Sequence, residues 1–368
     1  MPATLYSCDD HLDLSAVPPT VWESRLPRAL VERGPHVVDS GKGKQWVCDD
    51  KVIGRSGMPR NKAAVQAFSA IGRAGIDDDG YRAGTPKLRL QDMDRDGLTV
   101  SVVYGPLSLG FPIADPELQT ACYAAWNDWA ADEFNAAEPD RLCALAFLPW
   151  HSATAAADEL ARAASIGHRG AIVDAFRMNL GDPAWDRLWS VAEATGLPIS
   201  FHINGGVSAN LSYQIGKWQS AAFATLLPLQ LDEPLATMVF SGALERHPGL
   251  RLVLAESGIG WVPYFLSRMD GEWEELGSKL DYAPAVAPSE LVRRQVMLTF
   301  EQEPMAERFI PLVGADACMW ASDYPHTDST FPDSSAAIER TLGALPPADR
   351  HKIVAANCAR LYGFPEPA

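Results

Sequence analysis

Acids and histidines in this chain fall at the ends of short apolar segments. Asp9, Asp10 and His11 close the first, His202 follows PISF, Glu256 follows RLVLA, Glu301 and Glu303 follow VMLTF, and Asp323 and His326 follow MWAS. Asp9 and His11 stand two apart in an extended stretch, so both side chains leave one face and can reach one ion. Imidazole together with carboxylate suits a single divalent ion, Zn²⁺ foremost, with Mn²⁺ or Fe²⁺ as alternatives. A D-x-H pair is weak evidence by itself: singly, Asp9 reads as a loop or cap residue and His11 as a satisfied polar group. His202 and Asp323, each directly after an apolar strand, turn the pair into a convergent set.

Convergence requires a scaffold that brings strand ends to one place. Eight apolar segments read as parallel strands, at 5–9, 98–105, 143–148, 170–174, 198–202, 251–256, 296–301 and 318–322. Helical patterns lie between them at 117–137, 154–165, 183–194, 231–246, 261–276 and 305–312, and two more follow at 333–344 and 347–361. This alternation predicts an α/β fold, a (β/α)₈ barrel in one domain over 1–368, whose chemistry sits where strands end. No glycine-rich phosphate loop follows any strand, which argues against a dinucleotide-binding sheet. Residues 13–88 break the alternation and read as an insertion forming a lid over the mouth. The irregular stretch 205–227 lies over the same mouth.

With 47% hydrophobic and 21% charged residues the chain has the composition of a globular protein. The net charge of −16 argues against nucleic acid or an anionic membrane surface as partner. A small-molecule substrate, a cytoplasmic location and a homodimer are the expectations. Six cysteines are scattered without a CxxC pair. Cys8 and Cys318 are read as buried core residues.

CDDH at 8–11, DMDRDGLTVSVVYG at 92–105, FHINGG at 201–206, ERHPGLRLVLAESGIGWVPYFLSRMD at 245–270, ASDYPH at 321–326 and VAANCARLYGF at 354–364 span nearly the whole chain. On these motifs the sequence resembles the aminocarboxymuconate-semialdehyde decarboxylase-like, or amidohydrolase-2, family of the amidohydrolase superfamily. The resemblance implies that Asp9, His11, His202 and Asp323 are the metal ligands. Asp9 departs from the H-x-H or E-x-H of the family, and Asp10 reads as an exposed residue or an outer partner. Glu256 stands where the decarboxylase members carry a histidine.

That change directs the primary expectation to hydrolysis: a metal-activated water attacks a carbonyl, Asp323 relays its proton, Glu256 assists and His326 orients Asp323. The competing role for Glu256 is a cap on the turn at 258–261. Glu301 and Glu303 read equally as pocket residues or as a solvated pair. The alternative reaction is non-oxidative decarboxylation of an aromatic or unsaturated acid, with Arg55, Arg60, Arg82 or Arg89 clamping the substrate carboxylate. A third reading is a catalytically inactive binding barrel. Trp46, Tyr81, Phe111, Tyr213 and Trp218 are the aromatics expected over the mouth. His247 belongs at the opposite end of the barrel, and His36, His151, His168 and His351 show no partner pattern.

Overall fold

The computed structural model describes residues 4–41, 43–57, 69–76, 80–106, 113–204 and 217–367. The barrel strands are β1 (Leu5–His11), β2 (Leu98–Tyr104), β3 (Leu142–Ala144, continued as Ala146–Phe147), β4 (Ala171–Ile172), β5 (Ile199–His202), β6 (Leu252–Ala255), β7 (Val296–Phe300) and β8 (Cys318–Trp320). Each pairs in parallel with the next from β1 to β8. The ring closes through the segment after β8: Asp323 N–H donates to Asp9 O at 3.0 Å and His11 N–H to Tyr324 O at 2.6 Å. A side chain adds to the seam where Ser322 N–H donates to Ser7 Oγ at 2.8 Å.

These segments become strands because both faces are covered, which demands continuous apolar runs rather than alternation. Leu252, Val253, Leu254 and Ala255 of β6 are all fully buried. The covering helices are α1 (Pro86–Asp96), α2 (Pro116–Trp129), α3 (Ala153–Ser165), α4 (Asp186–Thr195), α5 (Asp232–Phe240), α6 (Val262–Leu276), α7 (Ala306–Val313) and α8 (Ser334–Leu342). Local chemistry sets their ends. Asp115 accepts from the N–H groups of Glu117 and Leu118 ahead of Pro116, and Ser152 accepts from Ala155. Gly97, at φ +78°, ends α1 and sends the chain into β2.

The structure shortens some expected elements. The helix expected over 231–246 breaks at Gly242, which takes φ +81°, into α5 and a short turn. The one expected over 117–137 ends as α2 and continues as a π-helical turn and a 3₁₀ turn. Only Ala171 and Ile172 of the strand expected at 170–174 are in the ladder.

The insertion is also more regular than its sequence suggests. It holds an antiparallel sheet of His36–Asp39, Lys44–Cys48 and Lys51–Arg55. Its Trp46 is fully buried, donating to Leu14 O at 2.8 Å and meeting Trp22 edge-on at 5.2 Å. Trp22 in turn donates to Cys122 O of α2 at 3.0 Å, fastening this segment to the barrel wall.

Candidate metal centre and cavity

Asp9, His11, His202 and Asp323 meet at the C-terminal mouth of the barrel, each at least nine-tenths buried. His11 Nε2 lies 3.5 Å from Asp9 Oδ1 and 3.1 Å from Asp323 Oδ1, and His202 Nε2 lies 3.4 Å from Asp9 Oδ1. Glu256 Oε2 joins them, 3.6 Å from His11 Nε2 and 3.3 Å from His202 Nε2. Asp9 Oδ1, His11 Nε2 and His202 Nε2 are buried and make no hydrogen bond among the described residues. Buried polar atoms left in this state are costly unless something outside the chain satisfies them. Three such atoms aimed at one point, all of types that bind divalent ions, form a cluster able to hold one.

Two backbone turns aim the carboxylates. Glu256 and Asp323, directly after β6 and near the end of β8, adopt φ +54° and +61°. Left-handed backbone costs a non-glycine residue about 1–3 kcal/mol and persists only where neighbours enforce it. Here Glu256 N–H is held by Thr299 Oγ1 at 2.7 Å and Asp323 N–H by Asp9 O at 3.0 Å. His202 is oriented by its other nitrogen, Nδ1, 2.7 Å from Ile203 O.

His326 stacks on His11 with ring centroids 4.1 Å apart and sets its Nδ1 2.9 Å from Asp323 Oδ1. Its Nε2 faces Asp13 Oδ2 at 3.4 Å. His326 is among the residues expected here and Asp13 is not, although Asp13 continues the every-second-residue spacing of Asp9 and His11.

The electrostatics follow from this crowding. Burial opposes charge on His202, but the Asp9 and Glu256 carboxylates outweigh it and lift its pKa to about 9. Burial and the Asp323 charge push Glu256 up to about 8, against the pull of His202 and His326. Burial acts on Asp323 too, yet His326 and His11 hold it below the ordinary carboxylate range. On Glu301, burial and the Asp323, Asp328 and Glu256 charges act together and raise it to about 10.

A cavity of about 440 Å³ opens beside the cluster, lined by Asp9, Glu256, Asp323, Glu301 and Glu303 together with apolar groups that include Trp261 and Phe300. Glu301 and Glu303 therefore belong to the pocket wall and are not a solvated pair. Glu303 also accepts from Ile259 N–H at 2.6 Å, so it is Glu303, not Glu256, that caps the turn leading into α6. Glu256 is left facing the cavity with its side chain 31% exposed.

Other expectations need correction. Asp10 is neither exposed nor directed at the cluster: it is buried, accepts from Ser7 Oγ, Ser101 Oγ and Tyr324 N–H, and faces Arg89. Arg89 is fully buried under β1, donating to Ala83 O, Ser101 Oγ and His11 O. Arg82 forms a two-pronged pair with Asp92 at 2.7 and 2.8 Å, and Arg55 is exposed on the insertion sheet. Arg60, Phe111 and Tyr213 lie outside the described residues. Of the expected aromatics, Trp46 is core, Tyr81 bonds Ser56 and Trp218 is exposed. Cys8 and Cys318 are fully buried, as expected of core residues. His247 sits between Asp186 and Glu193, away from the mouth, and His168 bonds Ala144 O and Asn127 O.

The family model described as Amidohydrolase matches residues 36–364. The chain belongs to the amidohydrolase family. Its match begins after β1, so the inclusion of Asp9 and His11 in the site rests on their geometry. As a member, the chain is a metal-dependent enzyme of the amidohydrolase superfamily. It is 27% identical to the gamma-resorcylate decarboxylase of Rhodococcus jostii (strain RHA1) over 346 residues, covering 82% of this chain and 98% of that one. An amidohydrolase from Mycobacterium avium subsp. paratuberculosis K-10 has the same fold, with a TM-score of 0.79, 19% identity and 99% of both chains covered. A further structural match is 5-carboxyvanillate decarboxylase from Novosphingobium aromaticivorans DSM 12444, solved with bound manganese. Its TM-score is 0.69 and its identity 15%, with 98% of this chain and 97% of that one covered.

These relatives overturn the expectation of hydrolysis. The amidohydrolases here whose reaction is named are decarboxylases. Glu256 in place of a histidine does not direct the site to hydrolysis, because a carboxylic acid can deliver a proton to carbon as well as take one from water. Among the described residues no helix is long and apolar enough to cross a membrane.

Proposed function

We propose that the chain is a metal-dependent, non-oxidative decarboxylase of a small aromatic or unsaturated acid. One divalent ion, manganese or zinc, would be held by Asp9, His11, His202 and Asp323. The observation that carries this reading is the convergence of three buried, unbonded donor atoms on one point at the edge of a 440 Å³ cavity. The resorcylate decarboxylase relative supports the reaction class.

When bound, the ion would supply positive charge that offsets the negative charge of the substrate carboxylate. The chain's own residues do the rest. His326 fixes the rotation of Asp323 through its 2.9 Å contact, and Asp13 holds His326 from the far side. Trp261 and Phe300 give the cavity flat apolar walls suited to an unsaturated ring. Glu256 faces the cavity and delivers a proton to the carbon that loses its carboxylate. The C–C bond breaks, its electron pair takes that proton, CO₂ departs, and Glu256 recovers a proton from solvent. Residues 13–88 serve as the lid of a single catalytic domain. Arg73 of this segment donates to Thr327 O, Ser329 O and Phe331 O in the loop that follows Asp323 and His326, which ties the lid to the site.

The test is product analysis. Protein loaded with Mn²⁺ or Zn²⁺ is offered a panel of hydroxybenzoic acids and related unsaturated acids, and CO₂ is measured against loss of substrate. One CO₂ per substrate consumed is the expected result; no CO₂ from any acid by metal-loaded protein would sink the reading. Glu256→Gln should lower turnover about 10²-fold or more while the ion stays bound. Near-normal turnover in that variant would remove Glu256 as the proton donor.

A further inference from the structure

We infer that Thr299 is a positioning residue that fixes the rotation of the Asp9 carboxylate, so that one oxygen is held by its hydroxyl and the other faces the ion. This inference rests on the metal site proposed above and concerns how this chain builds it.

Thr299 lies in β7 and is fully buried, whereas Asp9 lies in β1, with β8 between them in the ring. The contact therefore crosses the barrel interior and is no part of a neighbouring ladder. Thr299 Oγ1 donates its single hydrogen to Asp9 Oδ2 at 2.8 Å. The same oxygen accepts Glu256 N–H at 2.7 Å. With one lone pair of Oγ1 taken by Glu256 N–H, the hydroxyl's single hydrogen turns away from that amide and toward the Asp9 acceptor.

The consequence for Asp9 is geometric. The terminal torsion of an aspartate is broad, so a short carboxylate at a strand end has no intrinsic preference for the plane in which it presents its oxygens. With Oδ2 occupied by Thr299, Oδ1 is left bare and points between the two imidazoles, 3.5 Å from His11 Nε2 and 3.4 Å from His202 Nε2. Thr299 also anchors Glu256 at its left-handed backbone, and its carbonyl accepts Gly258 N–H at 3.2 Å. One buried hydroxyl thus sets a metal ligand and the cavity-facing acid relative to each other.

Thr299→Val keeps the branched shape and removes the hydroxyl; Thr299→Ser keeps the hydroxyl and removes the methyl. Each is compared with the wild type in Mn²⁺ affinity, by competition with a fluorescent chelator, and in thermal midpoint with the ion removed. Loss of an outer partner weakens metal binding about 10- to 100-fold, and that loss is expected in Thr299→Val. Thr299→Ser should bind Mn²⁺ close to wild type. Wild-type affinity in Thr299→Val would overturn the inference, as would a Thr299→Ser as weak as Thr299→Val, since shape and not the hydroxyl would then matter. If Thr299→Val melts far below wild type without the ion, Thr299→Ala takes its place as the variant without the hydroxyl, with the same loss expected and wild-type affinity overturning the inference. A wild type that binds no Mn²⁺ would sink the metal-site reading, and this inference with it.

Discussion

Asp9 and Asp10 are consecutive, both buried, and opposite in character. Asp9 presents a bare oxygen to two imidazoles inside the barrel, while Asp10 turns toward α1 and has every neighbour a carboxylate could want. Burial pushes Asp10 up to about 6, even with Arg89, Ser101, Ser7 and Tyr324 N–H pulling it down. The difference teaches how to read buried charge. Saturated, it is a fastener between elements; unsaturated and grouped with others of complementary type, it marks a place for something the chain does not contain.

The most severe way to break this comparison is to remove a donor from the unsaturated side. His202→Ala should take metal content from about one ion per chain to background, measured by elemental analysis, with the fold intact by circular dichroism. Retention of a full ion in that variant would mean that the bare atoms serve something else.

Next in size is the saturated side. Asp10→Ala removes the carboxylate that faces the buried Arg89 charge and should lower stability by about 3–5 kcal/mol, read from denaturant unfolding, because one partner of a buried pair is gone. Metal content should stay at the wild-type level. Loss of the ion at unchanged stability would erase the distinction between the two aspartates.

The smallest effect is in pH dependence, and it sharpens the comparison. In ion-free protein, His202 is lifted from an ordinary value near 6.5 to about 9. The stability it contributes is fully present below about pH 6.5 and is lost as pH rises through about 9. Glu256, raised to about 8, acts in the same direction, since its neutral form is the one the fold favours. The thermal midpoint of chelated protein should therefore fall between pH 6.5 and 9. Mn²⁺ should reverse the trend, because the ion takes the place of the His202 proton and binds more tightly as that proton becomes easier to remove. A chelated midpoint that rises over this range would show that the cluster is not the crowded, proton-holding site described above.

Much of the scaffold was legible in the chain. The β-α alternation is written in local apolar runs, and the strand-end positions of Asp9, His11, His202, Glu256 and Asp323 follow from it, because a parallel barrel sends all such ends to one mouth. Residue type fixed the donor chemistry. The insertion was harder to read, since its sheet is held by Trp46 and Trp22 reaching segments about 30 and 100 positions away in sequence.

What local pattern could not decide was the direction and partnership of individual side chains. Adjacent residues of one strand, Asp9 and Asp10, differ by a single step of the pleat, and the register of β1 is irregular between Ser7 and Asp10. The fates of Arg82 and Arg89, and of Glu303 as the cap instead of Glu256, depend on groups brought close only by folding. So does the hydroxyl of Thr299, which bridges residues 290 and 43 positions away. The sequence determined which atoms could bind an ion and at which end of the barrel. Tertiary contacts alone determined which of those atoms were left without a hydrogen bond, because saturation is a property of neighbours in space.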